Sequence, residues 1–220
     1  MTNAAPSAPA LDLERIADEL ADCGRLFHSR GWSVGTSSNY SAVLSREPLE
    51  LLVTASGMDK GRLTRADFVR VGADGRPTSA GQPKSSAETM LHVVLADERS
   101  EVGGILHTHS VWTTILSDHY FGQGFVEFSG FEMLKGFAGI GTHETTVRFR
   151  IFENTQDIGT LAEEVRKLLK EGDESLRYGY LLRKHGLYTW GKDVQEARRH
   201  VEILEFLLEC EWRRLALGGI

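Results

Sequence analysis

The chain has little cysteine, no long apolar run and a deficit of positive charge, and each shortage removes a class of protein. Cys23 and Cys210 are the only cysteines, far apart in helix-like segments, so a disulfide framework is not expected. No stretch of about 18 apolar residues exists, which excludes a helical membrane span. The opening MTNAAPSAPA lacks both a basic start and an apolar run, so residues 1–10 read as a disordered tail and not as a secretory signal. A reducing, cytoplasmic setting is the matching expectation. Lysine and arginine number 25 against 31 aspartates and glutamates, a net charge of -6. Such a chain repels a phosphodiester backbone, which argues against nucleic acid as a partner. A small phosphorylated molecule stays open, because a few backbone N–H groups can hold one locally.

What is present is periodicity. Leu13, Ile16, Leu20 and Phe27 recur at helical spacing and predict an amphipathic helix over 11–30. Strands are expected near 40–44 and over 49–55, the second stopping at Ser56-Gly57. Thr64 is expected to cap a short helix, and Asp74-Gly75 to form a hairpin turn. A helix over 86–96 precedes a buried strand over 104–109. Strand character returns at 146–151, helical at 158–169 and strand again over 180–190. Val194, Ala197, Val201, Leu204, Leu208 and Leu215 predict one long helix over 193–216. This irregular alternation, with no fixed repeat and no internal linker, implies one mixed α/β domain over 11–220 with helices on both faces of a sheet.

The sharpest local signal is His107-Thr108-His109. Residues two apart on a strand point to one face, so the two imidazoles can reach a single ion. Lys184-His185-Gly186 ends another apolar strand and supplies the third candidate ligand, with a glycine that lets backbone come close. Three histidines leave coordination positions open, as a catalytic ion needs. Zinc is the first choice; imidazole also suits iron, cobalt or nickel. The other histidines receive ordinary roles: His200 a solvated position on the long helix, and His92 an i,i+4 contact with Glu88.

Three stretches look built to cradle an anion: Gly35 to Asn39, Ala55-Ser56-Gly57, and Ser85-Ser86. Ser85 to Glu88 also fits a capping box, in which Glu88 would serve only the helix end. Glu88 and Glu132 are the candidate bases. Glu132 sits among apolar neighbours in Phe131-Glu132-Met133-Leu134-Lys135-Gly136, where partial burial would raise its pKa and suit it to proton transfer.

Ser85-Ser86-Ala87-Glu88-Thr89, His107-Thr108-His109-Ser110 and His185 to Gly191 together resemble the class II aldolase and adducin-head superfamily, over nearly the whole chain after the tail. Ser56 to Gly61, Phe131 to Gly136 and Gly141-Thr142-His143-Glu144 are similar to a dehydratase branch of it that serves methionine salvage. The resemblance implies a three-layer α/β/α sandwich around a central, largely antiparallel sheet. It implies a homotetramer with active sites between neighbours. It also implies one Zn2+ per subunit on His107, His109 and His185, with Glu132 as the acid/base of the dehydratases and Glu88 at the catalytic glutamate of the aldolases. Ser38, Asn39, Ser56, Gly57 and Ser86 fall where the superfamily binds substrate phosphate. Ala87 replaces the second member of the aldolase serine pair. No tyrosine follows Tyr188, whereas the aldolases use a C-terminal one, which turns the expectation from aldol cleavage toward dehydration. An aldolase or epimerase of the superfamily, or a non-enzymatic binding domain like the adducin head, are the rival readings.

Overall fold

Eight strands form one sheet in the order β3-β2-β1-β4-β8-β7-β6-β5. They are β1 (Asn39–Arg46), β2 (Leu49–Thr54), β3 (Phe68–Gly72), β4 (Gly104–Thr108), β5 (Phe125–Ser129), β6 (Thr146–Phe152), β7 (Gly179–Leu182) and β8 (Gly186–Gly191). Every neighbouring pair is antiparallel except β6 and β7. Five helices accompany them: α1 (Ala10–Ser29), α2 (Thr89–Glu98), α3 (Val111–His119), α4 (Ile158–Glu171) and α5 (Val194–Ala216). The computed structural model describes residues 10–218. The tail expected over 1–10 therefore lies outside the described residues, apart from Ala10, which opens α1.

The period-2 alternation of the strands divides the interior in two. Leu52, Leu106, Leu181 and Leu187 point into one core with Leu20 and Phe27 of α1, Leu116 of α3 and Val201, Leu204 and Leu208 of α5. Their neighbours Leu51, Val53, Ile105, Tyr180, Leu182, Tyr188 and Trp190 point to the other face, against Leu91 and Val94 of α2 and Leu161 and Val165 of α4. The result is the three-layer α/β/α sandwich with a largely antiparallel sheet. α2 is apolar around its whole circumference and almost entirely buried, whereas α4 and α5 keep one wet face. α5 starts where the Asp193 side chain accepts from Glu196 N at 2.8 Å, and its 23 residues run about 35 Å along the body.

Several expectations shift. The segment 180–190 is not one strand: it breaks at 183–185 into β7 and β8, with Lys184 at φ 52 and His185 N donating back to Leu182 O at 3.1 Å. That turn is where His185 sits. α2 begins three residues later than expected, with Glu88 itself at the N-cap position and no side-chain bond to the helix end, so the capping box does not form. β3, α3 and β5 add to the elements read from periodicity. Thr64 does precede a short 3-10 turn, Arg65–Asp67, and Gly75 takes φ 71 in the expected turn. Cys23 and Cys210 are both free. No helix among the described residues is long and apolar enough to cross a membrane.

Candidate active site

The histidines meet at one end of the sheet. β4 delivers His107, His109 follows it directly, and the β7–β8 turn delivers His185. The His107 and His109 rings lie 4.5 Å apart, His107 and His185 5.0 Å, and His109 and His185 again 4.5 Å. One ring nitrogen from each falls within 4.8 Å of the others. Gly186 makes the approach possible: a Cβ there would stand 2.1 Å from Thr108 O and 3.0 Å from the His107 ring.

The surroundings fix the protonation of these rings. His107 Nδ1 faces Leu187 O at 2.7 Å; a carbonyl only accepts, so this nitrogen carries the proton and Nε2 keeps its lone pair. That Nε2 faces His109 Nε2 at 2.7 Å. Tyr188 stacks flat on the other side of His107, centroids 4.0 Å apart. Burial pushes the pKa of His107 well down, helped by the charges His109 and His185 would carry. Burial likewise lowers His109 to about 3, and lowers His185 against the pull of Glu88. All three are neutral bases near pH 7, the form in which imidazole ligates a metal.

A carboxylate completes the cluster. Glu88 Oε1 lies 3.2 Å from His185 Nε2, and Oε2 lies 3.5 Å from His107 Nε2. Three imidazoles with a carboxylate beside two of them form a donor set that fits a divalent cation. Glu88 is aimed by a buried relay. Ser41 Oγ bonds His92 Nδ1 at 2.7 Å, His92 Nε2 bonds Asn39 Oδ1, and Asn39 Nδ2 donates to Glu88 Oε2 at 2.7 Å. His92 therefore reaches Glu88 through Asn39, not through the expected i,i+4 contact. Burial lowers His92 to about 3, so it stays a neutral link.

Behind the pair His107 and His109 sits a group that periodicity did not single out. Glu205 of α5 is fully buried; it accepts from Thr108 Oγ1 at 2.8 Å and from Trp112 Nε1 at 2.6 Å. Burial raises its pKa to about 7 although Ser110, Thr108, Trp112 and Thr113 all supply hydrogen bonds. It anchors the residue between the two histidines to the long helix. His200, expected in solvent, is also buried: Nδ1 donates to Trp190 O at 2.7 Å and Nε2 accepts from Ala138 N at 3.3 Å.

The three anion-type stretches converge. Ser38, Asn39, Ser56, Gly57 and Ser86 line one cleft of about 170 Å³ together with Glu88, His109 and His185. Ser38 holds φ 74, rare for a residue with a side chain, and its Oγ is buried without a partner. Ser86 Oγ accepts from Glu88 N at 3.3 Å. Ser85 does not line the cleft; its hydroxyl donates to Gly75 O at 3.3 Å. The cleft also contains Lys60, a residue of the Ser56 to Gly61 stretch to which the sequence assigns no role. A larger cavity of about 750 Å³ beside β5 and β6 contains none of the histidines; its Arg148 and Arg150 are paired with Glu127 and Asp173.

Glu132 stands apart. Its side chain is 71% exposed, beside Lys135 Nζ at 2.6 Å and His143 Nδ1 at 3.4 Å. The Lys135 ammonium lowers its pKa, the opposite of the rise expected from partial burial. Strand directions explain the separation. β4 and β7 both run toward the histidine end, β6 is parallel to β7, and β5 is antiparallel to β6. β5 therefore runs away from that end, four strands from β4 or about 19 Å, and Glu132 follows its far terminus. Within one chain Glu132 does not join the triad.

Comparison with known proteins agrees with this architecture. The family description Class II Aldolase and Adducin N-terminal domain matches residues 18–212. A methylthioribulose-1-phosphate dehydratase of Pseudomonas fluorescens is 46% identical over 202 residues, 92% of this chain and 94% of the relative. The dehydratase of the same name from Azotobacter vinelandii is 45% identical over 205 residues, 93% and 97%. An L-fuculose-1-phosphate aldolase structure from Thermus thermophilus superimposes with a TM-score of 0.71 at 19% identity, covering 94% of this chain and 99% of that one.

Proposed function

The chain belongs to the class II aldolase and adducin N-terminal domain family, and from that premise we propose that it is a hydro-lyase converting 5-methylthioribulose 1-phosphate to 2,3-diketo-5-methylthiopentyl 1-phosphate in cytoplasmic methionine salvage. The observation that carries the reading is the cluster of three neutral imidazoles against Glu88, opening onto a hydroxyl-lined cleft. The intact triad speaks against a non-enzymatic binding domain.

The substrate has a ketone at C2 and hydroxyls at C3 and C4. His107, His109 and His185 would hold one zinc ion per subunit, and what zinc supplies there is positive charge beside the C2 carbonyl, which acidifies the C3–H bond. Ser38, Asn39, Ser56, Gly57 and Ser86 hold the phosphate and fix the reacting carbons relative to the triad. Glu132 takes the C3 proton and returns it to the departing C4 hydroxyl; the enol left behind becomes the diketone. Because β5 carries Glu132 away from its own triad, this role requires a second subunit, as in the homotetramer that the resemblance implies, with Glu132 of one subunit reaching a neighbour's cleft. A second reading assigns the base to Glu88. Its support is position: Glu88 is 3.2 Å from His185 Nε2 and needs no neighbour. That choice also suits an aldolase or epimerase.

The test is product analysis. Zinc-loaded protein given 5-methylthioribulose 1-phosphate is expected to yield the phosphorylated diketone, and prolonged chelation to abolish turnover. Carbon–carbon cleavage fragments, or an epimer without loss of water, would overturn the dehydratase reading.

A further inference from the structure

Lys60 is 1% exposed, although it carries a long side chain ending in a full charge. It stands in the short 3-10 turn Lys60–Arg62 that follows Ser56-Gly57, and it lines the same cleft as His109 and His185. Its Nζ donates to Met58 O at 2.7 Å and to Thr36 O at 3.4 Å. These carbonyls belong to the two loops that form the walls of the cleft, one leading into β1 and one following β2. An ammonium has three donors, so one is left for a ligand after the two carbonyls are served. Burial lowers the Lys60 pKa to about 8, and the nearby Asp59 charge offsets only part of that.

A second observation points into the same space. Ser38 Oγ is buried without a partner, on a residue held at φ 74. A strained backbone and an unsatisfied hydroxyl both cost stability, and a ligand that accepts hydrogen bonds there offsets the second cost. The charge balance narrows what that ligand is. Among the described residues lining the cleft, Lys60 is the sole lysine or arginine.

We propose that Lys60 is a substrate-binding residue that reads the charge of the phosphate group, using its free N–H while its other two donors clamp the walls of the cleft together. The proposal rests on the reading of this cleft as the phosphate end of the substrate site. It assigns a division of labour: the serines and backbone N–H groups give the phosphate its orientation, and Lys60 gives selectivity for a charged over an uncharged sugar. It also gives a reason for burying a lysine, since an ammonium pairs most strongly with an anion where water is excluded.

Two measurements on the zinc-loaded protein test this. In kinetics, Lys60→Met is expected to raise KM for the phosphorylated substrate, and Ki for inorganic phosphate, at least tenfold while kcat changes less than threefold. Unchanged KM and Ki in a folded variant would overturn the proposal. The second measurement uses the parent protein with 13C-labelled lysines and inorganic phosphate. One strongly shifted lysine signal, the buried one, is expected to move on titration. A buried-lysine signal that stays fixed while phosphate binds would also overturn the proposal, whether or not Lys60→Met folds. Phosphate binding needs no turnover. If no diketone forms yet the lysine signal moves, the substrate assignment fails and the role of Lys60 stands; if diketone forms with KM independent of Lys60, the reverse holds.

Discussion

Glu88 and Glu132 are the same side chain in opposite surroundings. Glu88 lies at the start of a buried helix, gripped by Asn39 and facing two imidazoles. Glu132 lies on a wet turn past the edge strand, gripped only by its own i+3 lysine and His143. The difference is one of strand direction. A chain that runs toward the histidine end along β4 runs back along β5, so the segment directly following β5 is carried to the far side of its own subunit. Glu88 can act alone; Glu132 can act only as a loan between subunits. The two carboxylates thus make distinct claims about assembly as well as about proton transfer.

The largest expected effect comes from removing a ligand of the proposed ion. His185→Ala should lose its bound divalent ion by metal analysis and lower kcat/KM by on the order of 10³-fold or more. Next come the glutamates. Glu132→Gln and Glu88→Gln should each cut turnover by roughly 10²–10⁴-fold if each takes part in proton transfer, with metal content retained in Glu132→Gln. Mixing separates them. Subunits carrying His185→Ala and subunits carrying Glu132→Gln, unfolded and reassembled together, should recover about a quarter of parent activity if Glu132 crosses a boundary in a symmetric oligomer. The same mixture made with Glu88→Gln should recover none, because Glu88 and His185 belong to one chain's site. Equal recovery from both mixtures would break the comparison.

A third glutamate sharpens it. The carboxyl of Glu205 titrates at about 7 when folded, against an ordinary value of 4.5. Between those values the folded state keeps a proton that the unfolded state has lost, so this group weakens the fold as pH rises from about 4.5 to 7. Glu205→Gln removes that dependence. Its stability relative to the parent should therefore improve across this window, by about 3 kcal/mol in total, read by denaturant titration at pH 4.5 and 8. The smallest effect belongs to the exposed partner of the comparison: Glu132→Gln should leave the denaturant midpoint of unfolding where it is in the parent.

Legibility in the sequence followed length and periodicity. α1, α4 and α5 carry amphipathic repeats over three or more turns and were placed within two residues. α3 was missed because Val111-Trp112-Thr113-Thr114-Ile115 is rich in β-branched side chains, which favour strands. What makes it helical is local: Ser110 Oγ accepts from Thr113 N at 3.1 Å, and Glu205 receives the Trp112 indole. β5 has five residues and one buried alternation, too short for a signal of its own. The β7–β8 break at 183–185 is polar but brief, and the apolar runs on either side read as one strand. Lys60 carries no signal in the sequence because a lysine beside glycine looks like an ordinary exposed turn; only the packing of two loops over its side chain buries it.

The sequence by itself determined the triad as candidate ligands, the sandwich and the family. His-x-His on a strand and a histidine beside glycine are local facts, and local geometry suffices to interpret them. The anion-binding stretches were also legible, each as a short polar segment beside a strand or helix start. Only the tertiary structure decided which carboxylate stands at the triad, that His92 works through Asn39, that Glu205 and Lys60 are buried ionisable groups, and that Glu132 faces away. Each of these depends on strand direction or on loops packing over a side chain, and contacts between residues dozens of positions apart leave no period in the sequence to read.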